Sequence, residues 1–150
     1  MDEIDLRILK ALRDDARQTH QDLSEAVGLS PTPCARRVRN LEAAGVITGY
    51  AARIDEAQIG FGFSVFVSVR LDRQVDDRLQ EFEDRIRKFP EVVDCWLMTG
   101  SFDYLLRVTV RDLNEFENFL TGRLTRLSGV ASLESSIPIR RVKNEATRLE

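Results

Sequence analysis

The sequence SPTPCARRVRNL, residues 30–41, decides the fold of the first third of the chain. Ser30 is a favoured N-cap residue, because its hydroxyl can accept a hydrogen bond from a free amide of the first helical turn. Pro31 then occupies the first helical position, where a missing N–H costs nothing. The helix is predicted to bury one apolar face, made of Cys34, Val38 and Leu41.

The other face of this predicted helix is polar and cationic. A helix with small polar residues at its start and arginines along its flank suits the major groove of DNA. An amphipathic helix on the surface of any domain has the same pattern, so residues 30–41 alone leave both interpretations open. The candidate DNA-binding residues on this helix are Ser30, Thr32, Pro33, Arg36, Arg37 and Asn40.

The residues before this helix favour DNA binding. Apolar spacing predicts a first helix over residues 2–14, and Thr19 with Asp22 predicts a capping box at the start of a second helix. Gly28 follows, as expected where a helix ends in a left-handed turn. Two helices joined by a short turn with glycine form a helix-turn-helix, which we assign to residues 1–48.

Two residues at the start of the second helix join the candidate DNA-binding set. The free amides there can hold a phosphate, which makes Thr19 and His20 candidates. His20 is equally well explained as an exposed polar residue. As the one histidine of the chain, it cannot build a metal site by itself.

An extended segment is predicted next. Residues 46–54 are rich in β-branched and aromatic side chains, which favour a strand. This strand is either the wing of the helix-turn-helix or a β connector to a second domain, and we assign residues 49–62 to the connector. Gly60 and Gly62 mark its end.

The rest of the chain, residues 63–150, predicts a second domain. Alternating apolar residues indicate strands, and apolar stripes at helical spacing indicate helices. The predicted elements are strands 63–71, 92–99, 102–110 and 130–142 and helices 75–89 and 113–127. Their order, βαββαβ, is that of a ferredoxin-like domain, so the fold class is α+β.

Two helices can cover only one face of such a sheet. Phe66, Trp96, Met98 and Leu105 fall on strand positions that face away from the helices. An exposed apolar patch of this kind indicates self-association or a ligand. A homodimer is the economical prediction, since closed two-fold dimers are the commonest oligomers.

The composition is ordinary for a globular protein: 150 residues, 43% hydrophobic, 31% charged and a net charge of -3. Because a global positive charge is absent, any affinity for DNA must be local. No apolar run reaches the about 18 residues of a membrane span. The two cysteines are too few for a disulfide framework, and we expect Cys34 in a helix core, Cys95 packed in the sheet and the protein in the cytoplasm.

Several motifs, taken in order, resemble those of the Lrp/AsnC (feast/famine) transcriptional regulators. They are IDLRIL at 4–9, GLSPTPC at 28–34, RRVRNLE at 36–42, GVI at 45–47, GY at 49–50, ID at 54–55 and GSFDYLL at 100–106. Together they span most of the chain, which makes the resemblance specific.

The resemblance implies an N-terminal helix-turn-helix and a C-terminal ferredoxin-like, ACT-like (RAM) domain that binds an effector. The effector is usually an amino acid, bound between dimers near the turn at residues 100–104. The resemblance also implies homodimers that assemble further, often into octamers, on the nucleoid of a bacterial or archaeal cell.

The turn at residues 100–104 has the chemistry to bind both ends of an amino acid. Its free amides can receive a carboxylate, and Asp103 can pair with an ammonium. The alternative is a tight turn in which Asp103 caps its own backbone. The candidate effector-binding residues are Met98, Thr99, Gly100, Ser101, Phe102, Asp103, Tyr104, Glu134 and Ser136.

We therefore predict a sequence-specific transcriptional regulator that binds an imperfect palindrome in double-stranded DNA and is modulated by an amino acid. The alternative is an amino-acid-sensing regulatory subunit of a metabolic enzyme. We do not predict an enzyme, because the sequence has no Gly-rich phosphate loop, HExxH or CxxC motif. No metal or cofactor is expected.

Overall fold

The computed structural model describes residues 1–73, 76–144 and 147–149. The chain divides into two compact units, one of Met1–Arg53 with Lys143–Glu150 and one of Ile54–Val142. The division falls inside the predicted connector, while the predicted domain limits themselves stay predictions. No helix in the described ranges is long and apolar enough to cross a lipid bilayer.

Three helices form the first unit: α1 Glu3–Asp14, α2 His20–Val27 and α3 Pro31–Ala43. Capping boxes start the first two, because Asp2 and Asp5, and likewise Thr19 and Asp22, exchange hydrogen bonds between side chain and backbone. The apolar faces of the helices pack into one core, made of Ile8, Leu23, Val27, Cys34, Val38 and Leu41.

Gly28 makes the turn between α2 and α3. Its φ of 72° is in the left-handed region, where a side chain would be strained. The amide of Gly28 donates to the carbonyls of Ser24 and Glu25, and the amide of Leu29 donates to that of Ser24. These bonds end α2 within a few residues of α3, so the predicted helix-turn-helix is confirmed.

Two local predictions in and after this unit are wrong. Ser30 is the N-cap residue of α3, but its side chain makes no capping hydrogen bond, because Pro31 and Pro33 remove two amides of the first turn. The predicted β connector does not form a strand. Residues 46–54 pair with no strand in the described chain, and a strand requires a partner for its backbone groups.

The second unit is a four-stranded antiparallel sheet with two helices on one face. Its elements are β1 Phe63–Leu71, α4 Asp76–Ile86, β2 Val92–Leu97, β3 Tyr104–Val110, α5 Leu113–Gly122, a 3₁₀ turn Leu124–Arg126, and β4 Val130–Ser136. The strand order β2-β3-β1-β4 is that of a ferredoxin-like domain. The predicted βαββαβ order is confirmed.

The last strand is shorter than predicted. β4 ends at Ser136, opposite Phe66 of β1, and not at residue 142. Pro138 has no amide to donate to a ladder, and Ile139 is completely exposed. A strand cannot continue through these residues because they have no partner.

Both helices of the second unit are also shorter than predicted. α4 ends at Ile86, and Val75, the first residue of its predicted apolar stripe, lies outside the described residues. α5 ends at Gly122, after which the chain tightens into the 3₁₀ turn.

The face of the sheet without helices presents apolar side chains. Trp96 is 44% and Met98 43% exposed, while Phe66 and Leu105 are half-buried. This arrangement agrees with the predicted apolar patch. Cys95 lies in a strand as predicted, on the edge strand β2 opposite Leu106, but it is exposed rather than packed, and its thiol is only partly desolvated by the neighbouring atoms.

Tyr104 joins the sheet to α4 on the covered face. It is 1% exposed, its ring lies 4.6 Å from that of Phe82, and its hydroxyl donates to Glu83 Oε1 at 2.9 Å. Burial and then the Glu83 carboxylate raise the pKa of Tyr104 far above its ordinary range. Burial and the same carboxylate raise the pKa of the Cys95 thiol to about 11.

We expect Tyr104→Phe to reduce the loss of stability at alkaline pH. A tyrosine whose pKa is raised by folding contributes stability that is full below the unfolded-state pKa of about 10 and is lost above it. The free energy of unfolding should therefore fall less in the variant between about pH 9 and about pH 11. Urea denaturation measures it, with Cys95→Ser in both proteins because Cys95 titrates in the same window. Equal falls would contradict the prediction.

Candidate DNA-binding helix and effector site

The candidate DNA-binding residues lie at the starts of α2 and α3 and along one side of α3. Most of them are exposed, and Pro33 is half-buried. The exposed ones are Thr19, His20, Ser30, Thr32, Arg36 and Asn40. The first unit therefore presents a polar surface with a cation on the helix that follows the turn.

Arg37 differs from Arg36 because its guanidinium is ion-paired within the protein. Its Nη1 lies 2.8 Å from Asp2 Oδ2 and 2.7 Å from Asp5 Oδ1. The Asp5 carboxylate is only 14% exposed. The two acids are those of the α1 capping box, so a single guanidinium ties α3 to the first turn of α1.

The charges of this cluster stabilise one another. The backbone amide of Asp5 and then the guanidinium of Arg37 lower the pKa of Asp2, and the two carboxylates raise the pKa of Arg37. Arg37 was predicted to face DNA, but its guanidinium contacts α1 in this structure. The sequence could not show this pairing, because the partners lie 32 and 35 residues away.

The turn between β2 and β3 is the centre of the candidate effector site. Gly100 has a φ of 111°, a conformation that favours glycine. The amide of Met98 donates to the carbonyl of Asp103, and the amide of Asp103 donates to the carbonyl of Val69, each at 2.8 Å. The turn is thus held against β1, with Ser101 exposed at its tip.

Asp103 has a different role from the predicted one. The residue is 5% exposed, and its Oδ2 accepts a hydrogen bond from the Leu71 amide at 2.7 Å. β3 begins only at Tyr104, so the carboxylate takes the place of a carbonyl that a longer β3 would offer to Leu71. The predicted ammonium partner is therefore a buried group that supports the turn.

Tyr104 also points away from the candidate effector site. Its partner in the sheet is Val69, which is fully buried beneath the helices. Because side chains alternate along a strand, Tyr104 lies on that covered face. The alternation of Tyr104 with Leu106 and Val108 in the sequence indicates the covered face, although the motif at residues 100–106 includes Tyr104.

Arg70 is the residue that the sequence interpretation missed. It is exposed on the open face, its Nε donates to the carbonyl of Ser101 at 2.9 Å, and its guanidinium lies 5.4 Å from the centre of the Phe102 ring. The available signal was the one charged residue of strand β1, which lies between Val69 and Leu71. Arg70 brings a cation to the turn.

The structure brings only some of the other candidate residues to the turn. Met98 and Thr99 precede it directly and are exposed. Glu134 pairs with Ser68 on the open face, two positions along β1 from Arg70. Ser136 pairs with Phe66, which is about 13 Å along β1 from Arg70, so Ser136 lies away from the turn.

A helix-turn-helix unit and a ferredoxin-like unit with an open sheet face define a DNA-binding regulator with a sensor domain. Residues 1–48 match the winged helix-turn-helix DNA-binding family, and residues 64–147 match the Lrp/AsnC ligand binding domain. The chain therefore belongs to the Lrp/AsnC family of transcriptional regulators.

Relatives of known name cover almost the whole chain. The Bkd operon transcriptional regulator of Pseudomonas aeruginosa is 49% identical over 142 residues, 95% of this chain and 93% of that protein. The leucine-responsive regulatory protein of Escherichia coli K12 is 38% identical over 143 residues, 95% of this chain and 87% of that protein.

A solved structure supports the same assignment. The complex of a Neisseria meningitidis transcriptional regulator with L-Met has a TM-score of 0.93 and 36% identity and covers 97% of this chain and 94% of that chain. Membership in a family of DNA-binding regulators argues against an enzyme. Within the described ranges, no group of three or more His, Cys, Asp and Glu side chains is arranged to hold a metal.

Arg36 and Arg37 should differ in their effect on DNA binding. Each contact between a cationic side chain and a DNA phosphate contributes about 0.9 to the slope of log affinity against log salt concentration. With Arg36 in contact with a phosphate, Arg36→Ala should lower the magnitude of this slope by about 0.9 for each Arg36 side chain removed. Arg37→Ala should leave the slope unchanged and lower the melting temperature, because it leaves two carboxylates without their partner. Duplex titrations at several salt concentrations measure both slopes.

The same titrations can also contradict the prediction for Arg37. A fall in slope for Arg37→Ala equal to that for Arg36→Ala would show that Arg37 leaves α1 and contacts DNA. Arg53→Ala is the matched control, since Arg53 belongs to the same unit but donates to the carbonyl of Arg13 in the last turn of α1.

Proposed function

We propose that this regulator changes its DNA binding or its assembly when an α-amino acid binds to the second unit at the turn Gly100–Phe102. The observation that carries the proposal is the turn itself, where exposed Ser101 lies beside the guanidinium of Arg70. Backbone amides and a cation are the groups that receive a carboxylate. The relative named for leucine and the structure that contains L-Met support an amino acid as the ligand.

α3 is the helix proposed to enter the major groove. Thr32, Arg36 and Asn40 are exposed on it and can reach base edges or phosphates. The proposed role of Thr19 and His20, at the start of α2, is to hold a neighbouring phosphate. Ser30 and Pro33 are proposed to contact DNA at the start of α3. Arg37 is proposed to hold α3 in position through its ion pairs with the first turn of α1.

Two copies of the chain are the proposed DNA-binding form. Association through the open sheet face would remove Trp96 and Met98 from water. Two α3 helices related by a two-fold axis would read half-sites about 34 Å apart, which requires an imperfect palindrome. Octamers built from such dimers would add avidity on the nucleoid of a bacterial or archaeal cell.

The amino acid must bind one state of the protein more tightly than another. Equal affinity for two assemblies, or for the DNA-bound and free forms, would change nothing. The turn lies on the rim of the sheet face proposed for association, so a bound ligand can favour one arrangement of copies. We propose this difference in affinity as the basis of regulation.

We expect at least one α-amino acid to raise the melting temperature and to change duplex affinity at constant salt. A ligand that binds only the folded state stabilises it by about 2.7 kcal/mol at about 100 times its Kd. A thermal-shift panel of the standard amino acids, followed by duplex titration with and without the best one, measures both effects.

Two outcomes would contradict parts of the proposal. A panel without any shift would contradict the amino-acid ligand. A protein that folds and binds amino acids but binds no duplex at low salt would contradict DNA regulation and favour the alternative, a regulatory subunit of a metabolic enzyme.

A further inference from the structure

A cleft on the helix side of the second unit presents two arginines to solvent, and we propose that it binds a phosphate group. The cleft has a volume of about 140 Å³ and lies between α4 and the chain at the end of the 3₁₀ turn. Because it is separate from the turn at residues 100–102, phosphate binding here goes beyond the proposed function and does not depend on it. The lining residues are Glu81, Phe82, Arg85, Arg126, Leu127 and Ser128.

The two arginines of the cleft come from distant parts of the chain. Arg85 is in the last turn of α4, and Arg126 ends the 3₁₀ turn. Both are exposed, and neither guanidinium is ion-paired with a carboxylate within the described part of the chain. A cleft with an excess of one charge concentrates counter-ions, so this one attracts anions.

The acid in the lining does not remove this excess of positive charge. Glu81 Oε2 lies 3.2 Å from Nη1 of Arg78, one turn earlier on α4. The two opposite charges of this pair cancel. Arg85 and Arg126 therefore remain as two positive charges, each with the donors of a guanidinium to offer.

Ser128 adds a neutral donor to the two cations. Its Oγ accepts a hydrogen bond from Arg78 Nη1 at 3.2 Å. A hydroxyl that accepts one hydrogen bond keeps its own proton for another acceptor. Arg78 thus holds the Ser128 hydroxyl at the cleft, where its proton is free to bind an anion.

The number of donors favours a phosphate group over a carboxylate. One guanidinium satisfies the two oxygens of a planar carboxylate with parallel hydrogen bonds. A phosphate group presents three strong acceptor oxygens, which match donors from Arg85, Arg126 and Ser128. The volume is about tenfold that needed for one water molecule, so such a group fits.

The phosphate group has two possible sources with the same chemistry. It belongs either to a free phosphate compound or to the backbone of the DNA that a regulator of this family binds. Both sources need the same two guanidinium groups. Two measurements on the full-length protein separate them.

The first measurement is a calorimetric titration with inorganic phosphate at constant ionic strength, with chloride as the reference anion. Arg85→Gln and Arg126→Gln should each weaken phosphate binding about fivefold or more, because each removes one charged donor. Arg87→Gln is the matched control on the same helix. Arg87 is exposed but already bound to Glu83 and Asp84, so its removal should leave phosphate affinity unchanged.

A substitution in the opposite direction sharpens this measurement. Glu81→Gln removes the one negative charge from the lining and releases Arg78 from its partner. Phosphate binding should therefore become about two- to fivefold tighter. Weaker binding in Glu81→Gln would contradict the assignment of this cleft.

The second measurement is the salt dependence of duplex binding. If the phosphate belongs to DNA, Arg85→Gln and Arg126→Gln should each lower the magnitude of the slope of log affinity against log salt concentration by about 0.9 for each side chain removed. If it belongs to a free compound, the slope should stay that of the wild type while the affinity for inorganic phosphate falls.

The site is overturned if Arg85→Gln and Arg126→Gln match Arg87→Gln in both measurements. Unfolding does not explain a loss of binding, because Arg85 and Arg126 are exposed. Their variants should therefore melt at the temperature of the wild-type protein, which a thermal scan without phosphate checks.

Discussion

The hydrogen bond from the Leu71 amide to the buried Asp103 carboxylate is the interaction on which the second unit depends. A carboxylate that is 5% exposed is tolerated only when it is paired, and an amide at the end of a strand needs an acceptor. This bond gives the Leu71 amide its acceptor and gives the Asp103 carboxylate a donor. It also fixes the turn against the end of β1, which places Ser101 within reach of Arg70. The candidate ligand site is therefore a consequence of how one strand ends.

In the first unit, an ion cluster fixes the position of a helix. Its three helices share a small core, and α3 must be oriented for any reading of DNA. Arg37 supplies the orientation by binding Asp2 and Asp5 at the start of α1. In both units, a side chain that the motif suggested for a ligand instead binds the protein itself. Arg36, which is proposed to bind DNA, precedes Arg37, and Arg70, which is proposed to bind the amino acid, precedes the Leu71 whose amide binds Asp103.

Most of the fold could be predicted from the sequence because it depends on local patterns. The capping box at Thr19, the turn at Gly28 and the alternation in residues 63–71 each specify an element by themselves. The ends of the helices and strands are harder to predict from the sequence. Whether residues 130–142 form a strand throughout depends on pairing with another strand, and the pairing of β4 with β1 ends at Phe66 opposite Ser136.

The sequence predicts a ligand site at the turn, but the side chains that face the turn could not be predicted from it. The motif at residues 100–106 pointed to the turn, yet pairings across long separations decide which side chains face it, and Asp103 bonds to a residue 32 positions away. The most direct test of the account is hydrogen exchange at the Leu71 amide, with the Val67 amide as the internal reference. Slow exchange at both amides in the wild type, and fast exchange at Leu71 alone in Asp103→Ala, is predicted. Fast exchange at Leu71 in the wild type would contradict it.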